Sequence, residues 1–217
     1  PHILVETIEG ETSPHLLTAM RAFADHFDAN LETLTVTEVP SSVPLAQADH
    51  EVDDDWIEQI EHEIALDGHT AVFDHVRTRD RTDTLLERID DQTKCVLVDW
   101  RDPIRKHHLQ ESHVDEILRS GLPVRLAVLK HRDTETIDDI VVATDSGPYD
   151  RAEVELADAI AAVTGATLTL VKAIPADASE EATRSGQEYL SELAGILSSP
   201  AETRLIQTDY VERALVE

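Results

Sequence analysis

The order of elements in this chain starts over part-way along its length, so any fold proposed for it must house two passes of one pattern. Ile3-Leu4-Val5 reads as a short buried strand, and Gly10 with Ser13-Pro14 sets up a helix, Ser13 as N-cap and Pro14 in the first turn. Leu16, Leu17, Met20, Phe23 and Phe27 follow at helical spacing as one apolar stripe. Leu34 and Val36 alternate with Thr33, Thr35 and Thr37 in a second strand that stops at Pro40. Far downstream, Ile140-Val141-Val142 opens in the same way, and Thr144-Asp145-Ser146-Gly147 echoes Thr7-Ile8-Glu9-Gly10. A helix carrying Val154, Leu156, Ala157, Ile160 and Val163 comes next, and Thr167-Leu168-Thr169-Leu170 then mirrors Thr33-Leu34-Thr35-Val36 ahead of Pro175. Gly10 to Pro40 is 30 positions and Gly147 to Pro175 is 28, so the two passes keep nearly the same spacing.

Between the passes the alternation continues. Residues 40–52 are a loop, and Asp53–Asp55 opens a helix with Trp56, Ile57, Ile60 and Ile64 as its buried face. A strand near Ala71–Arg77, a helix near Thr82–Ile89, a strand at Cys95–Asp99 and a helix around His113–Leu118 lead to a fifth strand, Val124–Lys130. Strands alternating with helices predict an α/β fold: an open five-stranded parallel sheet with helices on both faces. The second pass adds a helix with Tyr189, Leu190, Leu193, Ile196 and Leu197 and a strand at Arg204–Thr208. Leu215-Val216-Glu217 then matches Leu85-Leu86-Glu87. The expected organisation is therefore a complete domain over 1–132 and a second over 139–217 that is incomplete at its C-terminal end, with no counterpart of Arg88–Lys130. A fragment of a longer protein is expected on this ground; the alternative is a second domain that borrows strands from a partner.

Charge excludes whole classes of partner. The chain has 45 Asp and Glu against 18 Lys and Arg, a formal net charge of −27. Phosphate backbones and anionic membranes need clustered cations, so nucleic acid is not an expected ligand. The acids are spread along the chain, which suits a halophilic cytoplasm where salt screens self-repulsion; an ordinary acidic protein is the plainer alternative. No apolar run approaches the roughly 20 residues that span a bilayer, and Pro1–Gly10 lacks the basic start of a signal peptide. A cytoplasmic protein without direct membrane insertion is expected. Cys95 is the single cysteine, lies in an apolar run, and reads as a small core residue rather than a nucleophile.

The strand–helix order, with a short first strand and a long first helix, resembles the universal stress protein family, an adenine-nucleotide alpha hydrolase-like fold, here in tandem and of halophilic archaeal type. Ile140 to Gly147 looks like the family's opening strand with its acid, and Glu111-Ser112 through Leu122-Pro123-Val124 looks like its last helix and strand. The resemblance implies a Gly-x2-Gly-x9-Gly-Ser/Thr phosphate loop after the fourth strand in nucleotide-binding members. In the first copy its glycine places fall on Val98, Arg101 and Glu111, with Ser112 in the hydroxyl place, and Ile8 stands where the opening acid belongs. That copy is not expected to bind ATP in the family manner, although Arg101, Arg105 and Lys106 could attract an anion or simply form a solvated basic loop. The second copy keeps Asp145, Ser146 and Gly147, and the resemblance places such an acid beside the nucleotide base. Asp145 as a plain N-terminal helix cap is the alternative. Asp145, Ser146 and Gly147, with Ser112 as a vestige, are thus the candidate nucleotide-binding residues.

Other constellations point nowhere sharper. His107-His108 and His113, near Asp99, lack recognisable metal-ligand spacing, so no metal is expected. Glu61-His62-Glu63 reads as the wet face of the 53–67 helix. No Gly-x-Ser-x-Gly nucleophile turn occurs, and no enzyme is expected. The expected function is a non-catalytic, adenine-nucleotide-sensing or stress-response protein that takes ATP through its second copy. The alternative is a cytosolic regulatory or interaction domain, such as the resemblance associates with membrane amino-acid or ion transporters. A nucleotide-using transferase on a related α/β fold has no catalytic residue to point to. The resemblance also implies a homodimer through the strand Val124–Lys130, whose exposed edge invites pairing.

Overall fold

The computed structural model describes residues 1–7, 13–45, 57–58, 62, 68–100, 113–130 and 136–210. They divide into two compact units, Pro1–Asp133 and Thr134–Glu217. The predicted helix over 53–67 falls largely outside the described residues, as do Ile8, Arg101, Arg105, Lys106, His107, His108, Glu111, Ser112 and the 211–217 segment.

Unit one contains β1 (His2–Thr7), α1 (Pro14–Phe27), β2 (Asn30–Glu38), β3 (Ala71–Thr78), α2 (Arg81–Leu86), β4 (Thr93–Asp99), α3 (His113–Arg119) and β5 (Arg125–Leu129). Its five strands lie in the order β3-β2-β1-β4-β5, every neighbouring pair parallel. Parallel strands covered on both faces carry no polar alternation. That is why the central β1 reads Ile3-Leu4-Val5, each fully buried. Leu4, Leu34, Val96 and Val98 meet Leu85 of α2 and Val114 and Ile117 of α3 on one face. The long helix α1 begins as its sequence dictates: Ser13 Oγ accepts the Leu16 N–H at 3.0 Å, a cap worth about 1 kcal/mol. Leu16, Met20 and Phe23 are its buried stripe. The helix stops at Asp28, whose left-handed backbone (φ 46°) lets its N–H reach the Ala24 and Asp25 carbonyls. Cys95 is buried in β4, and that burial pushes its thiol up to about 12.

Unit two contains β6 (Asp139–Thr144), α4 (Asp150–Thr164), β7 (Thr167–Ile174), α5 (Glu180–Ala194) and β8 (Ala201–Gln207), with a parallel sheet in the order β6-β7-β8. Val142, Leu168 and Leu170 pack under Val154, Ala157 and Ala161 of α4 and Leu190 and Leu193 of α5. The apolar period predicted α5 to run through Ile196 and Leu197. The helix instead closes at Gly195, and Leu197 still reaches the core from beyond the helix end. Helix α5 packs closely on β8 at Gly186, where a Cβ would stand 2.8 Å from Leu205 Cδ1 and Leu205 would have to shift. On the other face of β6, Val141 is 56% exposed, while in the central strand β7 both Leu168 and Leu170 and the alternate residues Thr169 and Val171 are buried. Among the described residues no helix is long and apolar enough to cross a membrane.

Candidate functional site

In unit one, β1 is the strand at which the sheet order turns. The chain builds outward through β2 and β3 on one side and through β4 and β5 on the other. A crevice at the C-terminal ends of such strands is where open α/β sheets take ligands. Near this end of β1 the described residues hold a buried polar cluster. Glu6, fully buried near the end of β1, accepts a hydrogen bond from Arg81 Nε at 2.5 Å on one carboxylate oxygen. His113 Nε2 lies 2.7 Å from the other oxygen. Thr82 Oγ1 links the far side of the imidazole to Glu116, 3.0 Å from His113 Nδ1 and 2.6 Å from Glu116 Oε2. His113, considered for a metal on its sequence neighbours, is thus held by a carboxylate and a hydroxyl.

In unit two the corresponding end of the sheet is open. A cleft of about 400 Å³ lies at the C-terminal ends of β6 and β7, with Ala143, Val171 and Ala173 on its sheet side and Asp145, Gly147 and Glu153 among its polar lining. Its shape depends on the turn after β6. Ser146 takes a left-handed backbone (φ 68°), a strain of about 1 kcal/mol for a residue with a Cβ. Three contacts hold it there. The Ser146 N–H donates to Asp150 Oδ2 at 2.9 Å, the Tyr189 hydroxyl donates to the same oxygen at 2.8 Å, and Lys172 Nζ donates to Ser146 Oγ at 2.7 Å. Lys172 also stands 5.2 Å from the Tyr189 ring centroid, close enough for a cation–π attraction. A Cβ at Gly147 would fall 2.5 Å from Asp145 Oδ1, so any side chain there would push the Asp145 carboxylate aside.

The turn brings Asp145 and Gly147 to the lining of one cleft, Ser146 lies between them in the turn without being part of that lining, and Ser112 lies outside the described residues. Asp145 does not cap α4. The N-cap position belongs to Tyr149, which makes no side-chain cap bond, and the acid that ties down the helix start is Asp150. Sequence reasoning passed over Asp150, Tyr189 and Lys172. The signal available for them was thin: an acid in the first turn of a helix and one of only four lysines.

Charge gives the cleft its chemistry. Glu153 is held above the usual carboxylate range, first by burial and then by the charges of Asp150 and Asp145. Tyr189 is pushed up to about 12 by burial, by its hydrogen bond to Asp150, and by the surrounding carboxylates. Carboxylates accept hydrogen bonds and donate none. A ligand for this cleft must therefore offer N–H or O–H groups to Asp145.

No protein-family model matches the chain, and no curated protein matches it. Solved structures do match. A universal stress protein from Archaeoglobus fulgidus superposes with a TM-score of 0.56 at 13% identity, covering 99% of this chain and 80% of that one. A protein from Pseudomonas aeruginosa assigned to the universal stress proteins gives 0.59 at 16% identity, over 94% of this chain and 73% of its own. The cytoplasmic domain of a prokaryotic cation chloride cotransporter gives 0.56 at 15% identity, over 97% and 80%. The fold is that of the universal stress proteins, an α/β fold with a five-stranded parallel sheet.

Proposed function

We propose that the chain is a non-catalytic, cytoplasmic protein of the universal stress type, built from two copies of one domain, in which the second copy takes an adenine nucleotide and the first serves as scaffold. The observation that carries this reading is the cleft at the C-terminal ends of β6 and β7, lined by Asp145 and Gly147 of the turn after β6. The adenine amino group and the ribose hydroxyls supply the donors that Asp145 requires. Lys172, fixed on Ser146 Oγ, offers a cation at the turn for phosphate. Equilibrium dialysis of ATP in molar KCl tests the reading. Gly147→Ala, which drives Asp145 Oδ1 aside, should weaken binding several-fold, and a wild-type chain that retains no ATP would sink it.

The second reading is a regulatory domain acting through its surfaces, and the likeness to the cotransporter's cytoplasmic domain over 97% of this chain favours it. On either reading β5, an edge strand of the five-stranded sheet, is the proposed homodimer contact through Val124–Lys130. A monomeric mass by light scattering in high salt would refute that contact.

A further inference from the structure

Glu6 lies in the interior of unit one with both carboxylate oxygens engaged, one by the Arg81 guanidinium from the start of α2 and the other by the His113 imidazole from the start of α3. The Arg81 and His113 side chains are 23% and 12% exposed, so both reach inward. These two helices follow different strands, and the carboxylate is what they share. Two donors converging on one small oxyanion from separate elements is the geometry of an anion-binding site. In this chain the anion is covalently part of the protein.

The two-copy reading sharpens the point. Glu6 and Ala143 are 137 positions apart, as are Thr7 and Thr144. Thr7 pairs across to Thr35 on the second strand of its unit, and Thr144 pairs to Lys172 on the second strand of the other. Where unit two has Ala143 lining a cleft, unit one has a carboxylate held by a guanidinium and an imidazole.

We propose that Arg81 and His113 form an oxyanion site in unit one that the chain occupies with its own Glu6 carboxylate, closing that unit to external anions. The correspondence with Ala143 rests on the two-copy reading above; the site itself rests on the contacts within unit one. Its ligand class follows from what Glu6 contributes beyond its Cβ, a CH2–COO⁻ group. Glu6→Ala removes a fragment the size and charge of acetate. Acetate should therefore restore the variant, and the larger tetrahedral phosphate should not.

The experiment is thermal unfolding of the full chain at constant ionic strength, with chloride replaced stepwise by acetate or by phosphate. Glu6→Ala should melt at least ~5 °C below wild type in chloride and recover half or more of that loss in acetate, as a ligand bound only to the folded state requires. Wild type and Glu6→Gln, in which the place is already filled, should not respond to acetate beyond the response to chloride. Equal recovery in phosphate, an equal acetate response in wild type, or a Glu6→Ala chain that acetate leaves unfolded would each overturn the proposal. ATP binding by the second unit, measured on the same Glu6→Gln protein, reports separately on the nucleotide reading.

Discussion

Asp150 Oδ2 lies 2.9 Å from the backbone nitrogen of Ser146 and accepts its N–H, helping to hold this strained residue in the turn beside the cleft. The same oxygen receives the Tyr189 hydroxyl. This buried carboxylate braces the turn with two donors and lines the cleft together with Asp145.

Removing Asp150 should therefore damage the turn more than removing Asp145. Asp150→Ala leaves the Ser146 N–H and the Tyr189 hydroxyl without this acceptor, at a cost of about 2–3 kcal/mol. Tyr189→Phe should cost about 1 kcal/mol. Denaturant unfolding in molar KCl, followed through signals of unit two, checks both. Equal losses for Asp145→Ala and Asp150→Ala would mean that Asp150 has no special role.

The pH dependence has a definite sign at Glu153. Its carboxyl is held above the ordinary range in the folded protein, so the folded state binds that proton more tightly than the unfolded chain does. The contribution to stability is present below the unfolded value and is lost as pH rises through the raised one. Glu153→Gln should make unit two more stable at neutral pH and no more stable under acid conditions. Unfolding curves at several pH values measure it, and a gain that stays constant across the range would contradict the assignment.

Cys95 offers a probe of unit one. Burial raises its thiol to about 12, so at neutral pH there is almost no thiolate to react and no access to it. Labelling by a thiol reagent should follow global opening of the unit, with a rate that rises steeply as denaturant is added. Rapid labelling of the folded chain would place Cys95 at the surface.

Salt should matter more here than in a neutral protein. With a net charge of −27, self-repulsion opposes the folded state, and the screening length shrinks from about 10 Å at 0.1 M salt to about 3 Å at 1 M. The unfolding midpoint should climb as KCl is raised into the molar range. A midpoint that is already maximal at low salt would remove the halophilic reading.

Local signals made most of the fold legible in advance. Ile3-Leu4-Val5 reads as a strand on its own residues, and Ser13 caps α1 through a bond three residues away. The site was legible only where it is local. Asp145, Ser146 and Gly147 stand together in the sequence, but Tyr189 reaches Asp150 across 39 positions and His113 reaches Glu6 across 107. No periodicity encodes such pairs. A glutamate inside the apolar opening strand was the one hint of the buried cluster in unit one, and its meaning depends on Arg81 and His113 arriving from two separate helices.

Calorimetric titration of ATP into the wild-type chain and into Asp145→Ala, both in molar KCl, decides whether unit two is a nucleotide site. The present account predicts saturable binding to wild type at one site per chain and a loss of ten-fold or more in the variant. Absence of binding to both, or equal binding to both, would contradict it and would leave a protein that acts through its surfaces.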